Sequence, residues 1–175
     1  MTMLTIGLAL AALAQAPAPQ THCAGHEANL KTYLDISRIL FNELQAERAS
    51  EFYADEFINH NSDAGGSDTS IGRPATMAAM WAATRRNDPG RELINNLIIC
   101  KDDLVVAQVT LRGSRAGETL VDKPEGRRRY STTAIDMYRF KDGKVVERWG
   151  NSDLITVIRQ LGMPTDLTLK PLPPE

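Results

Sequence analysis

A single carboxylate stands out among the residues of this sequence that could do chemistry. Asp136 lies in a stretch that alternates with a period of two, and its same-side neighbours are Thr132, Ala134, Tyr138 and Phe140. An acid on a largely apolar face costs free energy unless it is paired or protonated. Desolvation raises the pKa of a carboxyl group, which suits a residue that must give and take a proton near neutral pH. We predict that Asp136 binds a ligand or acts as general acid and base; the alternatives are a solvated face or a pairing with an arginine.

His60 is the second candidate for a chemical role, and it stands between Asn59 and Asn61 just before a segment rich in Ser, Asp and Gly. At a pocket rim, its imidazole could stabilise a developing enolate oxygen, as could the hydroxyl of Tyr138, with Asn61 contacting the substrate. The alternative is an ordinary surface histidine. No cluster of His, Cys, Asp or Glu at ligand spacing accompanies it, so the sequence predicts no metal site.

The chain turns back on itself shortly after Asp136, and the length of the turn decides which residue faces the acid. With a two-residue turn at Asp142-Gly143, Asp136 pairs with Trp149, which would form an aromatic wall that contacts the substrate. With a three-residue turn and a glycine bulge, Asp136 faces Arg148 instead, which predicts a salt bridge. Trp149 is otherwise a core residue.

The elements that must position these residues follow from changes in the hydrophobic period. Inward-facing residues recur at helical spacing from Glu27 to Glu47, and further helices are predicted for Ala49–Tyr53 and from Pro74 to Asn87. The segment from Phe57 to Asn61 is expected to lead into a loop. The pattern then becomes extended, which predicts antiparallel strands over Leu93–Cys100, Leu104–Arg112, Arg128–Phe140 and Lys144–Asn151.

Helices segregated from an antiparallel sheet predict the α+β class, with N-terminal helices packed on a curved sheet that forms a cone-shaped, half-open barrel. A short helix, Leu154–Leu161, follows the sheet, and Asp153 is placed to cap it. Trp81 faces inward from the third helix, at a position where core and substrate-binding residues overlap. These elements position Asp136 inside the cone.

The composition fits one globular domain. The chain has 175 residues, of which 42% are hydrophobic and 24% charged, so that one closed core can form. A formal net charge of −2 supplies no field that attracts nucleic acid, and no nucleic-acid partner is expected. The sequence has no nucleophile elbow, phosphate-binding loop or dinucleotide motif.

The N-terminal segment has the features of an export signal. The apolar run Leu4–Leu13 is too short for a bilayer, which needs about 20 apolar residues, and small residues follow it. We predict a signal peptide over residues 1–16, cut after Ala14 or Ala16, then a domain over 26–164 and a Pro-rich tail over 165–175. The mature protein would be periplasmic or secreted, without stable membrane insertion. A disordered N-terminus or a misplaced start codon is the alternative, because no Lys or Arg precedes the run.

The two cysteines are Cys23 and Cys100. Export would place both in an oxidising compartment, where they can pair. The alternative is that Cys100 is a buried small hydrophobe and Cys23 is free.

Several segments resemble the SnoaL-like polyketide cyclases, over about residues 28–162. The longest is AIDMYRFKDGKVVERWGNSD, from Ala134 to Asp153. It is followed by QLG at Gln160–Gly162 and preceded by YADEFINH at Tyr53–His60 and GSRAGE at Gly113–Glu118. The resemblance implies the cone fold of the nuclear transport factor 2-like superfamily and an enzyme without a metal or an organic cofactor.

In these cyclases an Asp is the general acid and base of an intramolecular aldol ring closure, and that Asp matches Asp136. Arg115 stands where the family's loop often carries His. This departure suits a more polar or anionic substrate bound by Arg115, or a loss of the cyclase reaction. The expected ligand is a small hydrophobic, polyketide-like carbonyl compound.

Three functions remain open from the sequence. The first is a cofactor-independent cyclase or isomerase-type enzyme that uses Asp136. The second is an exported, non-catalytic binding protein in which Asp136 anchors a small ligand by hydrogen bonds. The third is a dimerisation module, since an open curved sheet can bury its outer face in a homodimer.

Overall fold

The described part of the computed structural model comprises residues 18–61, 69–88, 90–115 and 128–163. The predicted signal peptide and Pro-rich tail lie outside these residues. The polar segments 62–68 and 116–127 also lie outside them. Among the described residues, no helix is long and apolar enough to cross a membrane.

In the described part of the chain, a seven-stranded mixed sheet forms the body of the fold, in the order β1-β4-β5-β6-β7-β2-β3. The strands are β1 Gln20–His22, β2 Tyr53–Asn61, β3 Ser70–Gly72, β4 Glu92–Lys101, β5 Leu104–Arg115, β6 Arg128–Lys141 and β7 Lys144–Ser152. The strands from β4 to β7 pair in antiparallel hairpins, as predicted. The edge pairs are different, because β1 runs parallel to β4 and β2 runs parallel to β7.

The helices pack on one face of this sheet. They are α1 Glu27–Asp35, continued by a π-helical segment Ile36–Asn42, then a 3₁₀ turn Ala46–Arg48, α2 Ala49–Phe52, α3 Pro74–Asn87 and α4 Leu154–Leu161. Asp153 caps α4 as predicted, since its carboxylate accepts a hydrogen bond from the Thr156 backbone N–H at 3.0 Å. The helix ends at Gly162, whose φ of 65° is left-handed.

Two sequence predictions about these elements were wrong. The first helix was expected to reach Glu47, but it ends at Asn42. The Asn42 side-chain amide donates a hydrogen bond to the backbone carbonyl of Leu93 in β4 and accepts one from the Leu93 backbone N–H. Leu44 then reverses the chain with a φ of 53°. The residues expected to lead into a loop, Phe57 to Asn61, are the second half of β2.

The core lies between the helices and the inner face of the sheet. Residues of β6 alternate between buried and exposed along the strand, which is the period-two pattern expected from the sequence. Phe41 of the π-helical segment packs on Trp81 of α3, with ring centroids 4.2 Å apart. Each such side chain stabilises the fold by roughly 1.5–3 kcal/mol on burial. Tyr33 of α1 packs on Tyr138 of β6, with ring centroids 5.5 Å apart, so that α1 is fixed against the strand that carries Asp136.

A disulfide bond joins Cys23 to Cys100. Cys23 directly follows β1 and Cys100 lies near the end of β4, so the bond holds the short parallel edge strand to its neighbour. Of the two alternatives left open by the sequence, the structure therefore shows the disulfide, and neither cysteine is a free thiol.

Candidate active site

Asp136 lies on the inner face of β6 and is 5% exposed. Tyr138 shares this face and is fully buried. The alternation along β6 places both side chains toward the helices, as the sequence predicted. The carboxylate is therefore shielded from bulk water.

The charge of Asp136 is balanced by a buried arginine of the neighbouring strand. Arg148 of β7 donates from Nη2 to Asp136 Oδ1 at 3.1 Å. Its Nε donates to the Tyr138 hydroxyl at 3.3 Å, and its Nη1 donates to Asn59 Oδ1 at 3.5 Å. An adjacent guanidinium favours the ionised form of a carboxylate. Arg148 therefore favours the ionised form of Asp136, which can accept a proton.

The register of the β6–β7 hairpin differs from both predicted versions. The turn at Asp142-Gly143 has two residues, as in the first version, but β7 contains a bulge that shifts the pairing. Asp136 consequently lies opposite Gly150, rather than opposite Trp149 or Arg148. The predicted salt bridge still forms, because Arg148 reaches the carboxylate diagonally.

Gly150 provides the space for this ion pair. A Cβ atom at this position would lie 2.8 Å from Arg148 Nη2 and 3.1 Å from Asp136 Oδ1. Any larger residue would push the two charged groups apart. The absence of a side chain at Gly150 therefore allows Asp136 and Arg148 to lie this close together.

Three buried tyrosines surround the ion pair. Burial raises the pKa of Tyr53 to about 12, and it also raises the pKa values of Tyr33 and Tyr138, with a further contribution from the negative charge of Asp136. For Arg148, burial alone would lower the pKa, but Tyr138 and Asp136 outweigh it and the net shift is upward. The hydroxyl groups of these tyrosines are therefore neutral at physiological pH.

A small cavity of about 50 Å³ lies beside Asp136. It is lined by Phe41, Arg91, Leu111, Ala134, Asp136, Arg148, Gly150, Asn151 and Ser152. Water occupies about 30 Å³ per molecule in the liquid, and pockets for drug-sized ligands are typically about 300–1,000 Å³. The cavity thus has room for one functional group of a ligand, but not for a whole polyketide.

His60 and Trp149 lie on the opposite face of the sheet from Asp136. In β2, Asn59 contacts Arg148 on the inner face, so the next residue, His60, points outward. The His60 ring stacks on Trp149 with centroids 4.8 Å apart, and its Nε2 lies 2.8 Å from Glu147 Oε1. The structure therefore does not bring His60 and Trp149 together with Asp136, which corrects the expected arrangement.

The remaining predicted residues are placed as follows. Trp81 is 2% exposed and packs on Phe41 rather than lining the cavity, and its indole N–H has no hydrogen-bond partner among the described residues. The side chains of Asn61 and Arg115 lie outside the part of the structure that is described.

Arg91 belongs to the cavity although no sequence pattern singles it out. It follows the turn after α3 and directly precedes β4. Its guanidinium carbon lies 5.9 Å from the centroid of the Phe41 ring and 5.7 Å from that of Trp81. A guanidinium at these distances from two aromatic rings is held by cation–π attraction. The cavity therefore has a second arginine in its wall.

A second buried carboxylate, Asp88, is held by hydrogen bonds that join α3 to the sheet. Its Oδ2 accepts from the Tyr130 hydroxyl at 2.5 Å, and its Oδ1 accepts from the Ser114 backbone N–H at 2.9 Å. These bonds fasten the end of α3 to β5 and β6. Within the described ranges, no group of three or more His, Cys, Asp and Glu side chains is placed to hold a metal ion.

The outer-face cluster around Glu147 predicts a specific dependence of stability on pH. Burial alone would raise the pKa of Glu147, but hydrogen bonds from His60 and Arg139 outweigh it and lower the pKa below its ordinary value of 4.5. A carboxylate with a depressed folded-state pKa stabilises the fold above its ordinary pKa and loses that contribution as the pH falls through the lowered value. We expect Glu147→Gln to reduce the free energy of unfolding near pH 7, with a difference from wild type that shrinks below about pH 4.5.

Urea unfolding at a series of pH values measures this difference. Glu92→Gln, at an exposed position that begins β4, is the matched control and should not reproduce the trend. A Glu147→Gln curve that runs parallel to wild type at every pH would contradict the prediction.

Comparison with known proteins identifies the family. The sequence model of the SnoaL-like polyketide cyclases matches residues 31–161, which spans most of α1 to the end of α4. The chain belongs to this family. The SnoaL-like match includes Asp136, Arg148 and Arg91, and it confirms the resemblance that the sequence motifs indicated. No curated protein sequence matches the chain.

Solved structures share the SnoaL-like fold. Wild-type IdmH from Streptomyces antibioticus is 24% identical, with 77% of this chain and 99% of that chain covered and a TM-score of 0.67. TsrD from Streptomyces laurentii is 22% identical, with 79% and 96% covered and a TM-score of 0.60. A phenazine biosynthesis-related protein from Pseudomonas aeruginosa is 14% identical, with 85% and 94% covered and a TM-score of 0.61. These likenesses confirm the predicted cone-shaped α+β fold.

Proposed function

We propose that this protein is a cyclase- or isomerase-type enzyme in which Asp136 removes a proton from a carbon next to a carbonyl group of a small, largely hydrophobic substrate. The observation that carries the proposal is a buried carboxyl group, paired with Arg148, in the wall of a cavity. Family membership supports the reaction type, and the apolar side chains of Phe41, Leu111 and Ala134 support the ligand's hydrophobic character.

The ion pair limits which protons Asp136 can remove. A guanidinium at 3.1 Å stabilises the carboxylate and so makes it a weaker base. The substrate carbon must therefore be activated, for example by a carbonyl group on each side. In a ring closure, Asp136 would take the C–H proton, the resulting enolate would attack a second carbonyl of the same molecule, and the new alkoxide would take the proton back from Asp136.

Proton exchange in D₂O tests this proposal without knowledge of the natural substrate. Small 1,3-dicarbonyl and aromatic carbonyl compounds are incubated with the protein, and loss of the activated C–H signal is followed by NMR. The proposal requires exchange faster than in buffer alone for at least one compound that binds. Compounds that bind beside Asp136 without accelerated exchange would contradict it.

A second candidate is a non-catalytic small-ligand-binding protein. The cavity of about 50 Å³ and the tight pairing of Asp136 with Arg148 favour it, because both would also suit a fixed hydrogen-bonding anchor. In that case ligands bind without any exchange. Asp136→Asn then weakens binding by about 1–3 kcal/mol, since it removes a charged hydrogen-bond acceptor.

We also propose that the protein is exported. The Cys23–Cys100 disulfide supports this location, because such bonds persist in oxidising compartments, and the apolar run Leu4–Leu13 supports an export signal. Cell fractionation with N-terminal sequencing is the test, and the mature chain should begin near Gln15 or Pro17. A cytoplasmic chain that retains Met1 would contradict the proposal.

A further inference from the structure

Arg91 is the charged group of the cavity for which the described residues provide no hydrogen-bond acceptor. Its Nε is buried and makes no hydrogen bond with any described residue, and no ion pair within the described ranges includes its guanidinium. The contacts that hold it are the rings of Phe41 and Trp81. A guanidinium has five N–H donors, and a buried donor that lacks an acceptor is unfavourable.

The charges in the cavity wall do not cancel. Asp136 and Arg148 offset each other at 3.1 Å, whereas Arg91 adds a positive charge that no described residue offsets. In a site of low dielectric, an unbalanced positive charge attracts an anion more strongly than it would in water. The planar fork of arginine matches the two oxygens of a carboxylate.

We propose that the ligand of this cavity carries a carboxylate group and that Arg91 binds it. A carboxylate fits a space of about 50 Å³, which would leave the rest of the molecule beyond the cavity. The inference rests on the proposed function only because it names the substrate class of the same site. That class is a carboxylic acid rather than the corresponding ester or amide. Binding of the carboxylate by Arg91 does not require Asp136 to be catalytic.

The two tryptophans of the chain provide the readout. The Trp81 indole packs under Arg91, whereas Trp149 lies on the opposite face of the sheet. We expect benzoate to shift the indole N–H signal of Trp81 in ¹⁵N–¹H spectra, with Trp149 unchanged. Benzamide, which has the same shape without the charge, should bind at least about tenfold more weakly.

Variants of Arg91 separate recognition by this residue from a general effect of charge. Arg91→Gln should weaken benzoate binding by about tenfold or more, and Arg91→Lys, which keeps the charge but not the fork, should fall between it and wild type. Arg112→Gln is the matched control, because it removes an exposed positive charge from β5, away from this cavity. Benzoate affinity should be unchanged in this variant.

Three results would overturn the proposal: equal affinities for benzoate and benzamide, an Arg91→Gln variant with wild-type affinity, or no shift at Trp81 up to about 10 mM benzoate. The comparison of benzoate with benzamide uses the wild-type protein, so it stands even if a variant fails to fold. Asp136→Asn separates this proposal from the proposed function. If Asp136→Asn loses proton exchange but binds benzoate as tightly as wild type or more tightly, both proposals are supported. If exchange is retained, Asp136 is excluded as the base, whereas the binding role of Arg91 still stands.

Discussion

Asp136→Asn is expected to reduce the rate of proton exchange or turnover by about 10²- to 10⁴-fold, with little change in the affinity for a neutral ligand. The side-chain amide keeps the shape of the carboxylate, and its oxygen can still accept the hydrogen bond from Arg148. It cannot accept a proton from carbon. The measurement is the exchange rate per folded molecule in D₂O, together with ligand affinity from the Trp81 indole signal.

Asp88→Asn is the matched control for this experiment. Asp88 is also a buried carboxylate, but it is bonded to Tyr130 and Ser114 and does not line the cavity. The rate per folded Asp88→Asn molecule should therefore stay close to wild type. A rate that survives Asp136→Asn undiminished would exclude Asp136 as the base.

Arg148→Met is expected to lower the free energy of unfolding by about 3–5 kcal/mol, because it leaves the carboxylate of Asp136 buried without its counter-charge. The hydrogen bonds to Tyr138 and Asn59 are lost at the same time. Urea unfolding at pH 7 measures the change. The double variant with Asp136→Asn should recover part of the loss, since a neutral amide needs no counter-charge.

An arginine on the outer face shows whether this loss is specific to the buried pair. Arg139→Met removes a guanidinium that pairs with Asp103 and Glu147, but its side chain is 37% exposed. Exposed pairs contribute about 0–1 kcal/mol, so this variant should lose far less stability. Equal losses in the two variants would contradict the assigned importance of the Asp136–Arg148 pair.

The parts of the fold that were predictable from sequence are those with local signals. Two-residue turns join β4 to β5 and β6 to β7, and α4 carries its own cap and stop residues. The strands β1 and β2 were missed for a physical reason. Parallel pairing joins segments that are distant along the chain, so neither strand is marked by a turn that leads directly to its parallel partner.

The candidate site was predictable in its central residue and not in its neighbours. The period-two pattern alone placed Asp136 on a buried face. Its partner depended on one extra residue in β7, which changes the register without any strong sequence signature. Because β2 was not recognised as a strand, its alternation was not available to show that Asn59 faces Arg148 while His60 faces away. Arg91 enters the site through tertiary packing on Phe41 and Trp81, which no local pattern encodes.

The parallel pairing of β2 with β7 has a consequence for the order of folding. Asn59 and Arg148, which face each other across these strands, are 89 residues apart in the chain. A growing chain therefore exposes the β7-facing edge of β2 until almost the whole sequence has been synthesised. Contacts of such long separation slow folding to the millisecond-to-second range, because the entropy of the intervening chain must be lost before they form. We therefore expect the contact between Asn59 and Arg148 to form late in folding, after the β6–β7 hairpin that carries Asp136 and Arg148.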